Sequence, residues 1–432
     1  MIENKYHFLF KFSLLSNLNS MKIYFLLVGI VVSICFKGYS QERLLTVSSK
    51  DSINGQPHYK SSFGANIKLN GYFDVFGGLQ DSETFNIGKI NVFGTDDSSS
   101  FKMDMYQTQL KFESTIMTKE GESIYAIVEF DFWGGNGTMR LRKAYVEFDH
   151  WQIGQGWASF GDEALWPNIL EWEGPPSGVW VRSPHIKYFN KIGNDPDWRY
   201  IIALDAPITD YNKYDEIEPL IGNANQTTPD VILGVKHEKK WGHLRMSTMF
   251  RNINYEYDGA KSSFLGYGLS FSGRLLKGKN SFQFQGTAGK GITSYITSIA
   301  GFGYDGFPTV NNELDATPSY GGWMAYEYFW TKKLHTNLVG GYTRFYTNDV
   351  SRFLISDSTD PQSVVLNGDI DHVHYYGIVN IMYDHYNRMT YGLELDYGAK
   401  RLIMNGEANG NQLDINKARD AMRISFGLMF YF

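Results

Sequence analysis

The chain has 432 residues and a formal net charge of -6, with basic residues spread along its whole length, which excludes the concentrated positive footprint of a nucleic-acid binder. Aromatic residues make up 16% of it, as 29 Tyr, 30 Phe and 10 Trp beside 44 Gly and only 12 Pro, yet the mean hydropathy is -0.32. That mixture is unusual for a soluble enzyme core but suits a wall whose residues alternate between lipid and water, since the two faces cancel in any average while aromatic girdles mark both interfaces.

Residues 1–20 read as an upstream extension, and 21–40 as a secretory signal peptide: Lys22 supplies a minimal charged end, 23–36 is apolar, and Gly38 and Ser40 are the small residues before a cleavage at Gln41. An uncleaved anchor is the competing reading, but the run is shorter than the roughly 20 residues a spanning helix needs. The single cysteine, Cys35, lies inside that run, and Ile34 stands where a lipoprotein signal wants a small residue. A mature chain without thiols fits an oxidising compartment and excludes cysteine nucleophiles and thiolate metal sites. Residues 41–62 then form a polar N-terminal leader, and 63–432 the main domain.

From there the dominant pattern has period two. Tyr106, Thr108, Leu110 and Phe112 alternate with Gln107, Gln109, Lys111 and Glu113, and Ile124, Ala126, Val128 and Phe130 oppose Glu129 and Asp131. Leu244, Met246, Thr248 and Phe250 oppose Arg245, Ser247 and Arg251, and Tyr391, Leu393, Leu395 and Tyr397 oppose Glu394, Asp396 and Lys400. A soluble β-sandwich also alternates, so the connections decide. Short linkers at 118–122, 149–150, 240–241, 276–279, 331–333 and 386–388 alternate with long polar ones at 77–103, 206–228, 290–319, 347–371 and 401–420. This rhythm predicts an all-β fold, a transmembrane antiparallel β-barrel of about 16 strands with short periplasmic turns and long extracellular loops, in the outer membrane of a Gram-negative bacterium. Met422, Ile424, Phe426, Leu428, Phe430 and Phe432 form one apolar face ending the chain, which looks like the terminal strand read by the barrel-insertion machinery.

Residues 159–178 form the third long connection, the one that general porins fold into the lumen. Its acids are Asp162, Glu163, Glu171 and Glu173, while Trp166 and Trp172 are placed to pack it against the wall. The neighbouring basic residues are Arg140, Arg142, Arg182, Lys187, Arg199 and Arg245. A carboxylate loop facing a basic wall sets up a transverse field that orients polar solutes; the competing reading has these charges solvated or snorkelling at the interface. Register is the weak point, because Arg140 and Arg142 share parity with Val146 and Phe148, and a one-residue slip reverses them. Glu129, Asp131, Glu394 and Asp396 are further inward candidates, and they oppose anion preference.

Catalytic readings find less support. The four loop acids resemble a glycosidase pair only if something fixes their separation, and no nucleophile–base constellation for a lipid or peptide hydrolase stands out. His372 and His374, beside Asp371, are the one metal candidate, and neither metal nor cofactor is expected. The function expected is passive diffusion of small hydrophilic solutes. A barrel enzyme and a non-conducting structural or adhesion barrel are the alternatives.

The segment 151–188 carries a resemblance. Gly154, Gln155, Trp157, Ala158 and Phe160, then Gly174 and Pro175, then Val181, Arg182, Pro184, Ile186, Lys187 and Tyr188 match the pattern of the DcaP-like porins, and the preceding LRKAYVEF (141–148) is similar to the same family's strand. The match covers roughly 140–188. It implies a trimeric barrel that passes carboxylates or other anions, surrounded by outer-membrane lipid and lipopolysaccharide. Two departures bear on that transfer: Gln107 and Gln109 stand where the family usually has arginines, and no heptad coiled coil precedes the first strand.

Overall fold

The computed structural model describes residues 44–432 apart from 78, 80–82, 212–220, 258, 310, 312, 356–363, 387 and 409; the expected signal peptide lies outside these. Sixteen antiparallel strands form one closed wall. They are β1 (Tyr59–Phe76), β2 (Gln109–Met117), β3 (Ser123–Asp131), β4 (Arg140–Phe148), β5 (Trp151–Trp157), β6 (Arg182–Ile192), β7 (Asp195–Asp205) and β8 (Asp230–Lys239). The second half comprises β9 (Gly242–Tyr257), β10 (Ala260–Lys277), β11 (Asn280–Lys290), β12 (Pro318–Phe329), β13 (Leu334–Ile355), β14 (Val364–His385), β15 (Met389–Ala408) and β16 (Asn411–Tyr431). Each pairs with the next, and β16 pairs with β1 from Tyr431↔Asn66 to Met422↔Phe76, which leaves the ring without an edge. Arg423 and Asp74 clasp across this seam, with Nε to Oδ1 at 2.7 Å and Nη2 to Oδ2 at 3.0 Å.

Burial is inverted relative to a soluble protein. On β10, Leu265, Leu269 and Phe271 are 72%, 45% and 48% exposed, while Phe264, Ser270 and Ser272 on the other face are buried. Apolar outside and polar inside is the alternation of a lipid-embedded wall. Outward tyrosines form a band near the loop end (Tyr320, Tyr342, Tyr375, Tyr397) and a second aromatic band near the turn end (Tyr328, Trp330, Tyr386, Tyr391), the amphipathic rings marking two interfaces.

One end carries tight turns, four of them two residues long (149–150, 193–194, 240–241 and 278–279). At the first, Asp149 takes φ 52 before His150, and at the second Gly193 takes φ 61 before Asn194, the left-handed backbone that reverses a strand over so short a link. At the other end the sequence reading is corrected. Much of 347–371 and most of 401–420 is strand rather than loop, paired as far as Ile355↔Val364 and Ala408↔Asn411. β13 to β16 are 20 to 22 residues long, about twice the roughly 9–11 a membrane crossing needs. Beyond the membrane the outward face meets water instead of lipid and need not be apolar, while inward Val350, Ile370, Leu402 and Met404 stay buried and the backbone ladder continues. At the N-terminus, Leu45–Ser48 pairs with Lys60–Phe63, and β1 starts at Tyr59, inside the stretch read as a leader.

Among the described residues L1 (77–99), L3 (158–181) and L6 (291–317) turn inward, and Tyr211 of the 206–229 connection packs with Leu314 and Ala316 of L6. L3 residues Ala158, Phe160 and Val179 join L6 residues Ile292, Tyr295, Ile296 and Ile299 and wall residues Ile232, Met249, Phe345 and Leu402 in one dry cluster. A second joins Phe85, Ile87 and Ile90 of L1 and Leu165 and Ile169 of L3 to Trp323, Val339 and Ile378. The apolar inward positions of β7 to β16 are thus covered by loop side chains, while on the inward face of β2 to β4 Lys111 and Lys143 stay partly exposed.

Candidate functional site

L3 is pinned to the wall along its length. Asp162 Oδ2 accepts from His243 Nε2 at 2.9 Å and Ser272 Oγ at 2.8 Å, Ser247 Oγ donates to the Phe160 carbonyl at 2.8 Å, and Arg245 donates to the Ser159 carbonyl. Asn337 and Asn380 donate to the Asn168 carbonyl at 2.7 and 3.0 Å. Glu394 accepts the backbone N–H groups of Leu170 and Glu171, and Lys68 Nζ donates to the Leu170 carbonyl at 2.8 Å. These partners sit near the turn end of their strands, so L3 crosses low in the barrel as a floor. His243, Arg245 and Ser272 hold Asp162 far below the usual carboxylate range against the opposing effect of burial.

These contacts redistribute the expected acids. Asp162 and Glu171 are buried loop anchors, Glu171 also accepting the Phe85 N–H at 2.8 Å. Glu173 leans on Asn86 of L1, and burial, with Glu171 next in effect, pushes its carboxyl up to about 7. Only Glu163 faces open water, its side chain 48% exposed 3.9 Å from Lys187 Nζ; Lys187 is the main cause holding its carboxyl below the ordinary range. Of the basic residues, Arg245 joins them as a buried anchor and Arg199 does not join them. Arg245 is buried and holds the loop. Arg199 is exposed, paired in register with Lys191 and Lys236 near the turn rim, away from L3.

A bulge resolves the parity of Arg142. The β3–β4 register jumps from Glu129↔Lys143 to Phe130↔Leu141, leaving Arg142 as the extra residue. An inserted residue shifts the side-chain alternation by one. Arg142 therefore turns inward and is buried, while Val146 and Phe148, of the same parity, are 39% and 38% exposed on the outside. Its guanidinium reaches Glu129 and Asp131 at 2.8 Å each and lies 4.6 Å from the Trp172 ring. Arg140 takes the other side of Asp131 at 2.7 Å. Arg182 sits 5.3 Å from the Trp157 ring and makes no ion pair among the described residues, its Nη1 buried without a partner. This layer therefore holds three guanidinium groups against two carboxylates.

Nearer the turns, the inward face of β2 to β6 forms charged rungs, of which sequence reasoning singled out Glu129 and Lys187 but not Lys111, Glu113, Lys143 or Glu147. Lys111, Glu129 and Lys143 are register partners across β2, β3 and β4, and Tyr125, Glu147, Gln152 and Lys187 are partners across β3 to β6. Glu113 lies between them, 2.8 Å from Lys111. Lys111 and Lys143 are each 23% exposed, whereas the equivalent inward residues His335, Asn337 and Glu394 on the far wall are 0 to 2% exposed. Water therefore reaches a slot bounded by this wall and by L3. The signal that could have found it is the polar half of the alternation at 109–113 and 143–147.

His372 and His374 are buried on the inward face with Nε2 atoms 3.1 Å apart, but Asp371 points outward to Arg344 at 2.6 Å. Among the described residues no group of three or more His, Cys, Asp or Glu is placed to hold a metal ion.

A closed wall of sixteen strands, a third loop folded into the lumen and charges gathered beside it leave one architecture. The chain has the fold of a porin. It is similar to the outer-membrane channel DcaP of Acinetobacter baumannii, with a TM-score of 0.66 at 14% identity over 89% of this chain and 100% of that one. The anion-selective porin from Comamonas acidovorans matches with a TM-score of 0.55 at 9% identity over 87% and 100%. OmpT of Vibrio cholerae, an outer-membrane protein, matches at 0.50 and 9% over 88% and 100%. No protein-family model matches the chain, and no curated protein matches it in sequence. The porin likeness is thus one of fold, carried by backbone rather than by shared residues.

Proposed function

We propose that the protein is a passive diffusion channel of a Gram-negative outer membrane, admitting small hydrophilic solutes with a modest bias toward carboxylates and other anions, and performing no catalysis. The observation that carries this reading is the slot: inside a lipid-facing wall with no edge, Lys111 and Lys143 stay partly exposed and Glu163 of L3 is exposed, while His335, Asn337 and Glu394 on the far wall are buried. The anion bias rests on the guanidinium layer, where Arg182 is uncompensated, and gains support from neighbours described as an anion-selective porin and an outer-membrane channel. Charges in a narrow, low-dielectric passage act on a solute far more strongly than the same charges in bulk water.

The assembly belongs to the same reading. β2 to β5 are 7 to 9 residues long, and outward Phe101, Met103 and Met139 above them are 57%, 51% and 56% exposed. A homotrimer packed on this low side covers them, with lipid and lipopolysaccharide against the rest. Residues 1–40 serve as extension and export signal, and the terminal strand as the address for the insertion machinery. Planar bilayers test the function: detergent-purified protein gives stepwise, voltage-independent conductance with a reversal potential on the anion side of zero. Hydrolysis of lipid or peptide without conductance would replace the channel by a barrel enzyme.

A further inference from the structure

We infer that the slot prefers zwitterions, namely free amino acids and short peptides, over uncharged solutes of the same size. This deepens the channel reading and rests on it. Lys111, Lys143 and Lys187 stand among Glu113, Glu129, Glu147 and Glu163 beside one passage, and with Arg140, Arg142 and Arg182 against Asp131 in the neighbouring layer the lining holds six cationic groups and five carboxylates, close to balance. A balanced lining gives little preference between simple anions and cations. It does give a strong local field between adjacent groups of opposite sign, and a solute with both charges meets a complement at both ends.

The pairs are not equivalent. Lys111 and Glu113 meet at 2.8 Å and Lys143 and Glu129 at 3.4 Å, while Lys187 and Glu163 stand 3.9 Å apart with Glu163 half exposed. Glu163 is the wetted partner of this last pair, while the Lys187 side chain is 7% exposed. At 3.9 Å the pair is the loosest of the three, so a passing solute reaches it from the Glu163 side and exchanges it most readily. The solute's carboxylate takes the Lys187 ammonium, and its own ammonium takes Glu163. Glu163 belongs to L3 and Lys187 to β6, so the two charges face each other across the slot rather than lying along one wall.

Swelling of proteoliposomes containing the full-length mature protein measures this, with dialanine as the zwitterion and arabinose as the uncharged probe. Dialanine enters about fivefold faster, the factor that about 1 kcal/mol of preferential pairing gives. Lys187→Met brings the dialanine-to-arabinose ratio close to one. The exchanged pair Glu163→Lys with Lys187→Glu restores it, because a zwitterion turns end for end while a structural role for either side chain would not be rescued. Equal rates in the unaltered protein, or a ratio unmoved by Lys187→Met, overturn the inference and leave the channel in place. Swelling with neither solute overturns both.

Discussion

Glu394 on β15 accepts the backbone N–H of Leu170 on L3 at 2.8 Å, and its other oxygen takes the N–H of Glu171 at 2.7 Å. One side chain thus satisfies two donors of a buried loop, and Asn380 steadies it from the neighbouring strand at 2.9 Å. Leaving such a group unpaired costs about 1–3 kcal/mol. Glu394→Ala should therefore loosen the floor of the lumen without opening the wall. Single-channel records are expected to show larger current fluctuations with the folded barrel's heat-modifiable gel mobility retained; a quiet trace would mean that other contacts hold L3 unaided.

Arg142 and Arg182 are expected to behave differently. Removing Arg142 leaves Glu129 and Asp131 buried with part of their compensation gone, a loss of about 3–5 kcal/mol for a buried pair. Arg182 has no carboxylate to strand. Arg182→Ala should move the reversal potential toward cations at nearly unchanged thermal stability, and Arg142→Ala should lower the unfolding temperature as well. Equal stability losses in the two variants would contradict the pairing.

Glu173 gives the loop a pH dependence. Its carboxyl is pushed up to about 7 by burial and by Glu171, so the packed L3 favours the protonated form. A raised carboxyl contributes its stability fully below the ordinary pKa of about 4.3 and loses it as pH rises through the folded value. Channel fluctuations should increase as pH rises from about 4 to about 7 and level off above that, and Glu173→Gln should flatten the change. Fluctuations that grow on acidification have the wrong sign.

The last residue is part of the ladder. Phe432 exchanges backbone hydrogen bonds with Ala65 at 2.8 and 3.0 Å, and its ring packs on Phe430 at 5.1 Å. Deleting Tyr431 and Phe432 unpairs the foot of β1 and removes the end of the apolar face. The truncated chain should accumulate in the periplasm and be degraded, which fractionation and blotting read; normal outer-membrane levels would refute it.

The wall was legible because lipid on one side and water on the other impose period two, and the C-terminal face from Met422 to Phe432 shows it plainly. The extensions of β13 to β16 were not, because Asp369 and Arg401 lie where the outward face meets water and no longer has to be apolar. Arg142 could not be assigned from parity alone, since the bulge beside Glu129 is a backbone event with no side-chain signature. The acids of L3 were read as one group, but a carboxylate meeting His243, as Asp162 does, is an anchor, and only Glu163 meets water. Nothing in 159–178 separates those roles without the strands opposite.

The position of the slot is tested most directly by thiol labelling, since the only natural cysteine, Cys35, lies in the expected leader. Single cysteines at Lys143, on the slot, and at Asn337, under L3 on the far wall, are each exposed to a charged thiol-specific reagent during bilayer recording. Block at Lys143→Cys with no effect at Asn337→Cys is the result predicted. Block at Asn337→Cys with none at Lys143→Cys would place the pathway on the other side of L3 and contradict the account.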